Sequence, residues 1–248
     1  MELLGVKIDN LDKESIIAKI AEFLSTDSFH LIVTVNAEIL VAAQENKKYA
    51  QILNQADLNI IDGSGPQIVL WFKHRQKIQR WPGVDLIEEI VEQAAEKQLS
   101  VLLLGASPLS NQKTAEKFRQ KYPNLKIFSL PGGTIYFDQS SGKWQQDEEI
   151  INFIREKKPA IILAALGHPK QEFWLYHHHY LFPSVKLGVG VGGSFDFISG
   201  KAKRAPYFLR KLGLEWLWRL LLEPRRIKRI YNATFKFLYL VVKYSGNK

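Results

Sequence analysis

The sequence predicts an α/β fold: a mostly parallel sheet with helices on both faces, followed by a basic, amphipathic helical appendage. Three observations lead there. Short β-branched runs alternate with stretches of helical spacing between residues 31 and 191, the rhythm of βαβ units. The length of 248 residues suits one sizeable domain with an added segment. The charge is lopsided: residues 201–248 hold 13 basic and 2 acidic side chains, a net +11, while the preceding 200 hold 21 and 23.

Taken in order, Leu31 to Val35 is the first buried-strand candidate, and Ala37 to Gln55 has helical spacing at Ile39, Leu40, Ala43, Tyr49 and Leu53. Leu58 to Ile61 is the next strand, stopped by Asp62-Gly63-Ser64-Gly65-Pro66. A helix around Leu86 to Gln98 leads into the strand Val101 to Leu104, and a helix from Asn111 to Tyr122 leads into Lys126-Ile127-Phe128. Gly132 to Trp144, rich in Gly, Ser, Gln and Asp and without periodicity, reads as an exposed loop. Ala160 to Ala165 and Val185 to Val191 are the last strands. The order is Rossmann-like, and residues 1–200 read as the α/β body with 201–248 as the appendage.

The absence of cysteine excludes a disulfide scaffold, thiolate metal sites and a cysteine nucleophile. The N-terminus, Met1 to Lys7, lacks a basic region followed by an apolar one, which predicts no secretory signal and a cytoplasmic location. The longest apolar runs, such as Ile161 to Leu166 and Phe237 to Val242, fall far short of the ~20 residues of a spanning helix. Membrane contact is therefore expected to be peripheral.

Open parallel sheets bind ligands at the carboxyl ends of their strands, which directs attention to the residues after each one. Thr34-Val35-Asn36 offers a hydroxyl and an amide, with an Asn helix cap as the plainer reading. Asp62, beside glycines, has the character of a general base for a sugar hydroxyl, although Asp-Gly is also an ordinary turn. Arg80 suits bidentate contact with a phosphate or carboxylate. Gly105-Ala106-Ser107-Pro108 allows a ligand near the backbone, but neither Gly-x-Gly-x-x-Gly nor a Walker motif is present. Gly167-His168-Pro169-Lys170-Gln171-Glu172 concentrates polar groups at one strand end, and Gly190-Val191-Gly192-Gly193-Ser194 exposes amides suited to a diphosphate. With no Asp-x-Asp pair to hold a cation, protein groups would neutralise that charge. His177-His178-His179 is not expected to bind metal, because consecutive helical residues point apart.

In the appendage, Pro206 and Pro224 bracket a helix from Tyr207 to Glu223 with an apolar face at Leu214, Leu217 and Leu221. A second helix from Arg225 sets Arg225, Arg229, Lys236 and Lys243 against Ile227, Ile230, Tyr231, Leu238 and Val242. Such a helix suits the membrane interface, the alternative being one whose apolar face docks on the body. The abundance of Leu, Ile and Val among its aromatics favours membrane over nucleic acid.

Thr34 to Glu38, Asp62 to Gly65, Arg80 to Leu86, Gly167 to Glu172, Gly190 to Asp196, Lys203 to Pro206, Gly213 to Trp216 and Glu223 to Arg226 together resemble the WecG/TagA/CpsF glycosyltransferase family, in the family's order. The resemblance implies an inverting transfer, without metal or other cofactor, of an N-acetylmannosamine-type sugar. The donor would be a UDP-sugar and the acceptor a polyprenyl-diphosphate-linked N-acetylglucosamine. It implies Asp62 as general base, Thr34 and Asn36 shaping the sugar pocket, and Arg80 and Gln171 contacting substrate, with Gly192 and Gly193 in the diphosphate loop. Arg219, Arg226 and Arg229 would meet the lipid diphosphate. Val35 and Ile61 stand where the family commonly has proline, which leaves the donor open among N-acetylmannosamine, its uronic acid and another hexose. A homo-oligomer hiding the appendage's apolar face is a further expectation. The competing reading is a non-enzymatic module that binds nucleotide sugars or nucleic acid through the basic tail.

Overall fold

A computed structural model describes residues 1–132, 135–138, 143–145, 148–211 and 213–245. The chain divides into two compact units: Met1–Asp12, Thr34–Pro82 and Lys203–Lys248 form one, and Lys13–Val33 with Gly83–Ala202 the other. The expected α/β class is observed, with a six-stranded sheet whose order is β4-β3-β10-β9-β5-β6. These strands are β3 (His30–Val35), β4 (Leu58–Ile61), β5 (Val101–Gly105), β6 (Ile127–Leu130), β9 (Ile161–Ala165) and β10 (Leu187–Gly190). β10 pairs parallel with both β3 and β9, and β5 with both β9 and β6. Apart from His30, every residue of β3, β4, β5, β9 and β10 is buried, as their continuous apolar runs require of a sheet covered on both faces. The edge strand β6 is buried only at Ile127.

In the second unit, α5 (Gly83–Glu96), α6 (Pro108–Lys121), α7 (Glu148–Lys157) and α8 (Lys170–His178) accompany these strands, with the shorter α9 (Ser194–Ile198) after β10. α1 (Lys13–Ser25) precedes β3 and buries Ile16, Ile20, Phe23 and Leu24. α6 packs on β5 and β6, α8 on β9 and β10. The crossover through α6 runs one way along the sheet and the crossover through α8 the other, so right-handed connections put them on opposite faces. The order reverses between β5 and β9, the position where such sheets open a ligand crevice. On the other side of β5, Asn111 ties its end to that of β6: the buried side-chain amide donates to the carbonyls of Leu103, Gly105 and Leu130 at 3.0, 2.7 and 3.1 Å.

The first unit opens with the hairpin β1 (Glu2–Leu3) and β2 (Val6–Lys7). The expected continuous helix from Ala37 to Gln55 is two helices, α2 (Ala37–Glu45) and α3 (Lys47–Gln55). Asn46 divides them: its extended backbone ends α2, while its side chain accepts from the Tyr49 amide and starts α3. α4 (Ser64–His74) follows Asp62-Gly63 directly and buries Pro66 and Leu70.

The loop expected from Gly132 to Trp144 lies partly outside the described residues, and its described parts include a hairpin. β7 (Tyr136–Asp138) pairs antiparallel with β8 (Lys143–Gln145). Two three-residue strands are too short to show a period, although their aromatics favour extended backbone.

The tail departs from expectation twice. The helix predicted over Tyr207 to Glu223 is broken into α10 (Tyr207–Lys211) and α11 (Glu215–Leu222). Gly213 adopts φ +73°, and the Leu214 and Gly213 amides donate back to the carbonyls of Leu209 and Arg210 at 2.8 and 3.1 Å. That is a Schellman cap, which ends a helix at a left-handed residue. A Cβ at 213 would also stand 2.6 Å from Ser64 Cβ, so glycine is required there on both counts.

Beyond Pro224, a 3₁₀ turn (Pro224–Arg226) leads to α12 (Ile227–Tyr231), a π-helical turn (Asn232–Lys236) and α13 (Phe237–Ser245). The second departure is which row of the tail docks: Phe237 is buried and Ile230, Ala233, Leu240 and Val241 are partly buried, with ion pairs beside them. Arg229 donates from Nε and Nη2 to Glu38 Oε2 at 3.0 and 2.8 Å, and Lys236 Nζ donates to Glu45 Oε1. The two acids mark the ends of α2, on which the π turn and α13 pack. Ile227, Tyr231, Phe235, Leu238, Tyr239 and Val242 remain exposed. Phe237 is 1% exposed, with its ring 3.7 Å from where a Cβ on Gly65 would stand.

Candidate active site

The first unit gathers four of the expected site residues at adjoining strand ends. The Asp62 amide donates to the Val35 carbonyl at 2.9 Å, setting Asp62-Gly63 beside Thr34-Val35-Asn36. The Trp81 amide donates to the Ile61 carbonyl at 2.8 Å and draws Arg80 alongside. Thr34 is buried, whereas Asn36, Asp62 and Arg80 are half-buried. Asn36 does cap α2, its Oδ1 accepting from the Ile39 amide at 3.1 Å. Its Cβ lies 3.4 Å from where a Cβ on Gly63 would stand. The two segments thus come into van der Waals range of one another. Arg80 Nη2 donates to the Arg210 carbonyl at 3.2 Å, tying α10 to the strand ends.

Of the tail arginines, Arg229 is paired with Glu38 as described. Arg219 Nη2 reaches Glu223 Oε1 at 3.5 Å within its own helix. The Arg226 side chain lies outside the described residues.

The second unit holds Gln171, Gly192 and Gly193. Gln171 sits in the first turn of α8 and is only 2% exposed. Its Oε1 accepts from the Gly167 amide at 3.1 Å and the Gly192 amide at 3.0 Å, and its Nε2 donates to Glu172 Oε1 at 2.7 Å. One amide thus staples the loop after β9 to the loop after β10. In that second loop the Val191 and Ser194 amides also meet protein acceptors, the carbonyls of Ala164 and Val191. Gly190 must be small because a Cβ there would come 2.5 Å from Gln171 Nε2 and 2.6 Å from Glu172 Oε1.

A polar cluster adjoins these loops. Ser110 Oγ donates to Asp196 Oδ1 at 2.6 Å, Lys201 Nζ lies 3.6 Å from the same oxygen, and Ser107 and Ser110 share a hydrogen bond at 2.9 Å. Ser107 caps α6 beside the Gly105-Ala106 turn.

The three histidines are each engaged by aromatic neighbours: His177 stacks on Phe173, His178 on Trp174 and His179 on Phe29. Burial lowers the pKa of His178 below the usual 6.5, against a hydrogen bond to the Trp174 carbonyl that raises it. Among the described residues, no group of three or more His, Asp or Glu side chains is arranged to hold a metal ion. No helix among them is long and apolar enough to cross a membrane.

The model of the glycosyl transferase WecG/TagA/CpsF family matches residues 1–248. The chain belongs to this family. Two relatives from Staphylococcus aureus, strains MRSA252 and NCTC 8325 / PS 47, are each 34% identical over 248 residues, covering 98% of this chain and 92% of the relative. Both are named N-acetylglucosaminyldiphosphoundecaprenol N-acetyl-beta-D-mannosaminyltransferase. The expected resemblance is therefore correct, and the chain is a glycosyl transferase. What sequence reasoning missed in this transferase is the pairing of Ser110 with Asp196. These residues are 86 positions apart, and only the Asp in Gly-Ser-Phe-Asp hinted at it. The exposed side of α4 was missed too, because the turn signal ahead of it hid a helix start.

Proposed function

We propose that this glycosyl transferase moves an N-acetylmannosamine-type sugar from a UDP donor to a polyprenyl-diphosphate-linked N-acetylglucosamine in the synthesis of a cell-surface polymer. The reaction inverts the anomeric carbon and needs no metal. The observation that carries the reading is Asp62, half-buried at the end of β4 and set against Thr34-Val35-Asn36 by its bond to the Val35 carbonyl. The names of the relatives support the acceptor and the sugar.

Asp62 takes the proton of the acceptor hydroxyl as that oxygen bonds to the anomeric carbon. The bond from that carbon to the donor's phosphate oxygen breaks on the opposite face, and the departing UDP keeps the electron pair. One displacement needs one base, the role given to Asp62. Thr34 and Asn36 shape the sugar pocket, and Arg80 contacts substrate. In the loop after β10, Gly192 and Gly193 meet the donor diphosphate, and Gln171, which holds the Gly192 amide, keeps that loop in shape beside the substrate. Arg219, Arg226 and Arg229 serve the lipid diphosphate, which requires Arg229 to exchange Glu38 for that ligand.

Residues 1–200 act as the catalytic domain and 201–248 as a membrane-associating appendage on the cytoplasmic face of the cell membrane. The exposed apolar side of α12 and α13 supports this reading, and in solution a homo-oligomer covers it. The alternative of a non-enzymatic nucleotide-sugar or nucleic-acid binding module is not favoured by family membership.

The test is UDP release from a panel of UDP-sugars, with and without a lipid-diphosphate N-acetylglucosamine analogue. Acceptor-dependent release identifies the donor. In Asp62→Asn that release falls by ~10²–10⁴-fold, the usual loss for a general base, with an unchanged circular dichroism spectrum. Near-normal turnover in this variant would sink the assignment of the base.

A further inference from the structure

Among the described residues, the outer side of α4 is unlike that of any other helix preceding the tail. Ile68, Trp71 and Phe72 are 52%, 46% and 56% exposed, while Pro66 and Leu70 face inward. With Arg75 they stand at i, i+3, i+4 and i+7, a single stripe. The Arg75 guanidinium lies 5.9 Å from the Trp71 ring and 5.7 Å from the Phe72 ring. Beside the stripe runs a groove of about 340 Å³ lined by Gln67, Ile68, Trp71, Arg75, Lys77 and Ile78 among others. Residues 63–84 carry Lys73, Arg75, Lys77 and Arg80 and no Asp or Glu.

We propose that α4 is a second membrane-contacting element, inserting Ile68, Trp71 and Phe72 among the acyl chains of an anionic bilayer while Lys73, Arg75 and Lys77 engage its phosphates. The inference rests on the peripheral-membrane reading above and extends it from the tail to the helix that follows Asp62. Charge selects the occupant. A second copy docking on this face through a two-fold axis would set two acid-free basic segments against each other. An anionic lipid surface satisfies both the cations and the apolar stripe, with Trp at the headgroup level and basic stems reaching the phosphates. The tail also docks on the start of the same helix. Ser64 Oγ donates to the Gly213 carbonyl at 2.9 Å, and the ring of Phe237 covers Gly65.

Because α4 follows Asp62-Gly63 directly, laying its apolar stripe in the interface plane holds the base beside the headgroup layer.

The test uses the full chain. Because it has no cysteine, Phe72→Cys accepts a single nitrobenzoxadiazole label. Its emission should shift to the blue with vesicles containing phosphatidylglycerol and stay unchanged with phosphatidylcholine alone. Trp71→Ser with Phe72→Ser should weaken sedimentation with anionic vesicles by about tenfold or more. The same pair should raise KM for a vesicle-borne acceptor while leaving kcat on a short-chain soluble acceptor unchanged. Leu238→Ser with Val242→Ser is the tail control, and melting temperatures confirm that each variant folds. If the tail control loses vesicle binding while the α4 pair binds normally and the label is silent, α4 is not a contact and the tail reading survives. If wild type ignores anionic vesicles, both fail. A blue shift that follows protein concentration without lipid would make the occupant a second copy and overturn the proposal.

Discussion

Gln171 shows how one side chain can shape a ligand loop. Buried at the sheet's reversal point, it receives two backbone amides from different loops and is itself held by Glu172. Gln171→Ala leaves the Gly167 and Gly192 amides without their acceptor, which costs about 1–3 kcal/mol and should appear as a lower urea midpoint together with slower transfer. His178 makes a prediction of a different kind. Its depressed pKa means that the folded chain favours the neutral imidazole. Above the usual value of 6.5 its contribution is fully present. As pH falls through that value toward the lower folded one, the unfolded chain binds the proton more readily and stability is lost. Melting temperature should therefore fall between about pH 7.5 and about pH 5.5, and less steeply in His178→Asn than in wild type.

The tail is governed by an element-scale competition. Its basic side finds Glu38 and Glu45 on α2, half-exposed pairs worth at most about 1 kcal/mol each. Apolar burial stabilises the docked tail more, chiefly through the ring of Phe237, with Ile230, Leu240 and Val241 partly covered. Phe237→Ala removes a fully buried aromatic, a change that costs about 3–5 kcal/mol in a packed core. Limited proteolysis should then cut within residues 224–245 of the variant well before the sheet unfolds. Loss of the tail together with the whole fold would mean that the tail and the sheet form one cooperative unit. The π turn at Asn232–Lys236 belongs to the same competition. It shifts the helical register just ahead of Phe237, the residue that docks.

Across the whole molecule, the exposed large apolar residues are distributed very unevenly. Among the described residues, all but Leu109 and Tyr180 belong to the unit that contains α4 and the tail. Residues 203–248 of the tail, with 12 basic and 2 acidic side chains, lie in the same unit, so apolar and electrostatic attraction act on one partner. Anionic-vesicle binding of the full chain should weaken at least tenfold as salt rises from ~0.01 to ~1 M, where the Debye length shrinks from about 30 to about 3 Å. Binding that is insensitive to salt would leave insertion of the apolar residues as the only attraction.

The sequence by itself determined the six strands of the main sheet, though not the two hairpins, together with the polar residues at the strand ends and the basic character of the tail. Each of these is a local pattern: an apolar run, a turn beside a carboxylate, an excess of lysine and arginine. Asp62 was legible because the strand before it and the glycines after it lie within a few residues. Tertiary structure alone decided which side of the tail docks, because Glu38 and Glu45 each lie 191 positions from their partners. It decided that Gln171 binds two loop amides, because Gly192 comes from a different strand end. It also decided that α4 exposes Ile68, Trp71 and Phe72. Periodicity can show that a helix has two faces, but which one is buried depends on what the rest of the chain places against it.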